Sequence, residues 1–365
     1  MKKLFILLVT ALSVMQLSCR NGVEFEATPY VEYFSQDMRN KLEHAADSVF
    51  MRVNTPGMLA YFSDSSGSNY ELRRGVSNTV TNEYMNTDYY FRIASNTKTF
   101  TGLAVLILVD EGLINLDSSI SYYLPEKNIP NGYSIKVRML GNMTSGLYNY
   151  SDDEGLWSSF QASNYQQTYP PDSLLAIAFR HPPNFPPGTS YEYCNTGIVL
   201  LGLLMEKVTG KTTAQIFQEK ILQPADMNNT FWPETVYLLS PYTHGYTSAY
   251  GSVMDATNWN PSWGYTAGIL ISNFYDMNKW AKFVADGSLL SVRMKAERFN
   301  WVNDHYGFCV MKTGYWVGHS GTMYGYNSHV FYNTVKHISM VILTNTDSGT
   351  PVENFSEAFR NIIDK

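Results

Sequence analysis

Three short clusters in this 365-residue chain carry groups able to run acyl transfer. The first is Ser95-Asn96-Thr97-Lys98. On a helix, the i, i+3 spacing sets the hydroxyl and the ammonium on one face, within reach of each other. Ser95 is predicted at a helix start, where free N–H groups and the helix dipole favour a developing anion. A serine becomes a nucleophile only when a base takes its proton. The second cluster is Tyr193-Cys194-Asn195. A phenol ionises near pH ~10, too high for a base at neutral pH. A neighbouring ammonium is expected to bring that value down, so a Lys98–Tyr193 pair suits a site with no Ser–His–Asp triad. The Asn195 side chain is placed to hold a substrate amide carbonyl. The third cluster is Gly318-His319-Ser320-Gly321-Thr322, at the end of a strand-like run. Gly321 there permits close approach of an extended substrate backbone.

No cluster is specific alone. Ser95 reads equally well as a helix N-cap. Tyr-x-Asn recurs at Tyr84–Asn86 and His-x-Gly at His305–Gly307. Gly318-His319-Ser320 also begins like the nucleophile elbow G-x-S-x-G, but Thr322 fills the fifth position and no strand–turn–helix unit surrounds it. The order S-x-x-K, Y-x-N, H-x-G, each in its own context, is what carries weight.

These groups need a frame. Asp37 to Arg52 reads as an amphipathic helix with Leu42, Ala45, Ala46, Val49 and Phe50 on one side. Gly57–Asp64, Asn69–Ser77 and Tyr89–Ile93 read as strands, the first two joined by the turn Ser65-Ser66-Gly67-Ser68. Asn96 to Glu111 is an apolar helix stopped by Gly112, and Gly197–Thr209 is another, ending at Gly210. From Gly112 to about residue 260 the chain reads as helices and Pro-rich loops. Strand-like runs return at Tyr306–Lys312, Tyr315–His319, Ser328–Asn333 and Ile338–Thr344, and Pro351–Ile363 closes as a helix. The pattern predicts a mixed α/β fold: one sheet built from both ends of the chain, with a helical lobe inserted. The expected division is 36–94 with 262–365 for the α/β lobe and 95–261 for the mainly helical lobe, the site lying between them.

Hydrophobic residues at 44% and charged residues at 16% support a packed core and argue against disorder. A net charge of −6 without a Lys/Arg stripe predicts no nucleic-acid partner. Without HExxH or CxxC, no metal site is expected, and the chemistry above needs no cofactor. Lys2 and Lys3 precede an apolar run from Leu4 to Val14, the pattern of a secretory signal over 1–18. Leu17-Ser18-Cys19 resembles the end of a lipobox, with Gln16 where an aliphatic residue is usual. The expectation is export from a bacterial cytoplasm to the periplasm or outer membrane, with a lipid anchor at Cys19 or release after cleavage, and a tether over 19–35. Cys194 and Cys309 read as free thiols.

The clusters and the runs around them resemble one family: the class C β-lactamases and the D-alanyl-D-alanine carboxypeptidases of the same fold, in particular the secreted streptomycete DD-peptidase type. The resemblance covers nearly all of residues 35 to 350. It is carried by Phe91–Leu124 (FRIASNTKTFTGLAVLILVDEGLINLDSSISYYL), Thr144–Tyr150 (TSGLYNY), Pro187–Lys211 (PGTSYEYCNTGIVLLGLLMEKVTGK) and Gly318–Tyr326 (GHSGTMYGY). It implies a β-lactamase/transpeptidase-like fold, an antiparallel sheet flanked by helices plus a helical lobe. It also implies acylation of Ser95, proton exchange through Lys98 and Tyr193, and an acyl-side amide bound by Asn195. His319 stands where the commoner Lys-Thr-Gly triad has its Lys. Backbone N–H groups of Ser95 and Thr322 would form the oxyanion hole. Trp263 falls where the DD-peptidase type has a ring lining the cleft, and reads equally as a core aromatic. One position departs: alignment through Tyr306-Gly307-Phe308 puts Met311 where that type carries a carboxylate-binding Arg. Lys312 is adjacent, but alternate strand residues face opposite ways. The implied function is a D-Ala-D-Ala carboxypeptidase-like serine peptidase on cell-wall peptides. An esterase, a D-aminopeptidase or a β-lactamase on the same site is the alternative, and a non-catalytic sensor of penicillin or muropeptides the reading from another class.

Overall fold

The computed structural model describes residues 33–349 and 351–365. The expected signal segment, Cys19 and residues 20–32 of the expected tether lie outside the described residues. Phe34, at the tether's end, is fully buried against Phe62 and Tyr70. Tyr33–Lys365 forms one unit.

Among the described residues the strands are β1 (Gly57–Ser63), β2 (Asn69–Asn78), β3 (Glu83–Tyr84), β4 (Phe91–Arg92), β5 (Tyr246–Thr247), β6 (Met254–Asp255), β7 (Ile271–Ser272), β8 (Met311–Thr313), β9 (Trp316–Met323), β10 (Tyr326–Asn333) and β11 (Ile338–Thr344). Seven of them form an antiparallel sheet in the order β3-β2-β1-β11-β10-β9-β8. The early strand β1 therefore pairs with the late strand β11, Met58 opposite Thr344. The sheet is sewn from both ends of the chain, as the sequence pattern predicts. The other four make two short ribbons, β4–β7 and β5–β6.

The helices are α1 (Gln36–Phe50), α2 (Thr97–Asp110), α3 (Ile120–Tyr123), α4 (Val137–Gly141), α5 (Glu154–Ala162), α6 (Pro171–Ala178), α7 (Asn195–Thr209), α8 (Thr213–Phe217), α9 (Tyr265–Gly268), α10 (Phe274–Asp286), α11 (Val292–Arg298) and α12 (Pro351–Ile363). Period-two alternation divides the sheet's two faces. Met58, Ala60, Phe62, Phe331, Met340 and Ile342 face α1 and α12 in one apolar cluster. Leu59, Tyr61, Val317, Val330, Val341 and Leu343 belong to a larger cluster with α2, α7 and α10. Helix α2 is buried on nearly every side, which is why its sequence is apolar all round rather than striped.

Two expected strands are shorter than predicted. Of Tyr89–Ile93 only Phe91 and Arg92 form a strand, paired with Ser272 and Ile271, while Tyr90 makes an isolated bridge to Tyr242. Of Tyr306–Lys312 only Met311 and Lys312 are in a strand. Cys309 there takes a left-handed φ of 57°, and a Cβ on Gly307 would lie 2.2 Å from the Arg298 carbonyl oxygen. The apolar run Tyr306–Val310 is a buried turn pressed against α11. An apolar run of that length fits either structure.

Candidate active site

Ser95 sits in a 3-10 turn, Ala94–Asn96, that leads directly into α2. The turn is held from two sides. Ile93 N–H donates to the Leu270 carbonyl at 3.1 Å. On β10, Ser328 Oγ donates to the Ile93 carbonyl at 2.9 Å and accepts from Asn96 Nδ2 at 3.0 Å. These ties hold Ala94 at a φ of 48°, a conformation that strains a residue with a Cβ. Strand β9 runs close behind. A Cβ on Gly321 would lie 2.5 Å from the Ile93 carbonyl and 2.8 Å from Ser95 N, so only glycine fits. Ser95 is not an N-cap: Asn96 holds that position, without a side-chain cap bond.

Lys98 Nζ lies 2.8 Å from Ser95 Oγ and donates to the Ala267 carbonyl at 2.8 Å. The side chain is fully buried, and burial lowers its pKa to about 7, from 10.5 for a free lysine. Its nitrogen stands 4.9 Å from the centre of the Tyr193 ring. Burial also acts on Tyr193, pushing its phenol well above 10 against a smaller opposing effect of its hydrogen bond with Ser95. The expectation of a lowered phenol is therefore corrected. Desolvation penalises both charged forms, so Lys98 leans to the amine and Tyr193 stays a phenol.

Ser95, Tyr193, Asn195, Trp263, His319 and Thr322 line one cavity of about 420 Å³, with Ser151, Trp157, Met311, Ser320 and Gly321 completing its wall. Asn195 Nδ2 donates to Ser151 Oγ at 2.9 Å, which fixes its amide. Trp263 stands edge-to-face with Trp157, ring centres 5.0 Å apart, and its carbonyl accepts from Tyr150 Oη at 2.6 Å. It lines the cavity rather than filling a core. His319 on β9 is 1% exposed, and burial lowers its pKa to about 3, so the ring is neutral. No Arg or Lys is among the lining residues. Lys312 turns instead to Asp304, at 2.5 Å, and to the Trp301 ring. The other copies of the short motifs fall elsewhere: Tyr84 is 76% exposed on β3, and neither it nor His305 is in the wall.

Sequence reasoning missed Ser151, Trp157 and the part played by Tyr306. Trp157 lies on α5, an Asp153-capped helix with no motif, and donates to the Ser151 carbonyl at 2.8 Å. Only the fold brings it to Trp263.

This sheet, with a serine and a buried lysine at the start of a central helix, is the architecture of a serine hydrolase. A family model described as Beta-lactamase matches residues 34–363, so the chain belongs to the beta-lactamase family of serine hydrolases. A D-stereospecific amidohydrolase from Streptomyces sp. is similar in structure: 28% identity, TM-score 0.80, covering 87% of this chain and 97% of that one. The D-amino acid amidase of Ochrobactrum anthropi SV3 shares the fold at 24% identity and TM-score 0.75, covering 89% and 99%. Protein flp of Staphylococcus aureus is 28% identical over 273 residues, 71% of this chain. The chain spans only about half that relative's length, 53%.

Proposed function

We propose that this protein is a serine amidohydrolase that acylates Ser95 with D-amino-acid or peptide amides lacking a free carboxylate beside the scissile bond. The observation that carries the reading is the 2.8 Å contact between a buried Lys98 amine and Ser95 Oγ at the edge of an open cavity. With its pKa near 7, the neutral amine takes the Ser95 proton as Oγ attacks the carbonyl carbon. The tetrahedral oxyanion falls to the backbone N–H groups of Ser95 and Thr322. Tyr193 keeps its proton and so donates it to the leaving nitrogen, and the Lys98 ammonium restores it. Water then attacks the acyl-enzyme, Lys98 taking its proton and passing it to Ser95 Oγ as the ester bond breaks. Asn195 holds the acyl-side amide, and the Trp157–Trp263 corner packs against an apolar side chain.

The neutral end follows from the wall. A carboxylate there would meet Met311 and a neutral His319, with no guanidinium to pair. The similarity to the amidohydrolase supports the same choice. The second reading is the D-Ala-D-Ala carboxypeptidase, favoured by the Ser320 and Thr322 hydroxyls, which line the cavity and can donate to a carboxylate. Export and a lipid anchor at Cys19 belong to this proposal, on the N-terminal pattern alone. The test compares kcat/KM for a D-amino-acid amide with release of D-Ala from a D-Ala-D-Ala peptide, beside intact mass after benzylpenicillin. Faster amide cleavage, dependent on Ser95, is expected. Faster D-Ala release moves the assignment to the carboxypeptidase, and consumption of penicillin without a lasting adduct moves it to a β-lactamase.

A further inference from the structure

We infer that Tyr306 is the positioning residue for His319: its hydroxyl donates to Nε2 and fixes the ring as the neutral tautomer that carries its proton on Nδ1. Nδ1 lies 2.5 Å from the Ser320 carbonyl oxygen. A carbonyl only accepts, so Nδ1 must bear the hydrogen. The neutral ring then has its lone pair on Nε2. Tyr306 Oη is 3.1 Å from that atom, and the phenol can only be the donor in the pair. Both ring nitrogens are thereby committed within the protein. Tyr306 is fully buried and its own pKa is raised well above 10 by burial, so it keeps the proton it donates.

The groups that face His319 come from every side. Lys98 approaches from α2, Tyr193 from the loop before α7, and Tyr306 with His305 from the turn before β8. His329, on the neighbouring strand β10, acts on it only electrostatically, from the sheet's other face. A proton on His319 would face Lys98; burial keeps that second positive charge away, and the lock at Nε2 fixes which nitrogen carries the one proton beside the amine that must receive the Ser95 proton. His319 then acts as a neutral wall rather than an acid or base. This kinetic consequence rests on the reading of Ser95 and Lys98 above. The tautomer itself does not.

The test uses the full chain labelled with 15N-histidine, read by long-range 1H–15N correlation between about pH 5 and 8, with His319→Gln assigning the signal. In the wild type, His319 is expected to show a protonated Nδ1, a bare Nε2 and no titration. Tyr306→Phe removes the donor. It is expected to free Nε2, so that the ring changes tautomer or titrates. In the same variant kcat/KM falls roughly tenfold, the order of one hydrogen bond within a reacting constellation. Its acid limb steepens from one proton to two. A wild-type Nε2–H tautomer, or a wild-type His319 that titrates in this range, overturns the inference. So does a Tyr306→Phe spectrum and pH profile identical to wild type. If Tyr306→Phe does not fold, the wild-type spectrum decides. Failure of the chain to turn over any amide would sink the hydrolase reading and leave the tautomer result standing on its own.

Discussion

Two histidines one strand apart show how differently the sheet's two faces are built. His319 on β9 faces the site, among Lys98, Tyr193 and Tyr306. His329 on β10 faces α12, bonded to Ser356 Oγ at 2.8 Å and stacked on Phe331 at 4.0 Å. Burial holds both rings neutral. Around His329 the face is largely apolar, from Phe62 to Phe359, although Asn333 there donates to Asp364 at 2.9 Å and Nδ1 of His329 lacks a hydrogen-bond partner among the described residues. On the site face, Lys98, Arg92 and Arg298 are buried as well, and Nε and Nη1 of each arginine lack a hydrogen-bond partner among the described residues. Ala94 and Tyr265 add positive φ values of 48° and 37°. The α12 face is a small apolar layer, whereas the site face carries the larger apolar cluster and gives up part of its stability to hold reactive groups in place.

That contrast can be broken by substitution. The largest expected effect is Ser95→Ala, which should remove acylation and lower kcat by at least about 10⁴-fold. Intact-mass and turnover assays would show it, with the melting temperature unchanged. Lys98→Met comes next. Activity should fall about 10²- to 10⁴-fold, while stability rises by a few kcal/mol, on the order set by a pKa lowered from 10.5 to about 7. A destabilised Lys98→Met protein would refute the idea that burial of this amine is a cost. On the opposite face, Phe359→Ala should cost about 3–5 kcal/mol in denaturant unfolding and leave kcat/KM of the folded fraction as it was. A change in kcat/KM there would mean the faces are coupled.

Two finer tests use pH and the wall. Because the neutral amine is the base, kcat/KM should fall about tenfold per pH unit below pH ~7. Between about 7 and 10.5 the unfolded chain binds the Lys98 proton and the folded one does not, so this group makes stability rise with pH across that window. Lys98→Met should flatten that slope in melts measured across it. The smallest effect expected is from Met311→Arg. It adds a guanidinium to the wall and should improve use of a carboxylate-ended peptide relative to an amide by about tenfold. An unchanged ratio would place the leaving-group end elsewhere in the cavity.

Much of this was legible in the chain because local rules write it there. Helix α12 and strand β11 have the bounds predicted from their patterns, and the order of the three motifs led to residues that line one cavity. The phenol of Tyr193 was read the wrong way because sequence names a charged neighbour but not the water missing around both groups. Trp157 and Tyr306 were invisible as site residues for a related reason. Trp157 meets Trp263, and Tyr306 meets His319, only through the packing of distant elements. The buried turn at Tyr306–Val310 imitated a strand because its apolar side chains serve a close backbone approach, which hydropathy does not record.

The pairing of β1 with β11 also sets a clock. A ribosome must make some 280 further residues after β1 before its partner exists, since Met58 lies opposite Thr344. Such distant pairing forms late and slowly. The nascent chain therefore cannot close its sheet, align β9 behind Ser95, or cut anything until its last strand is delivered. Every group of the site thus waits on the far end of the chain.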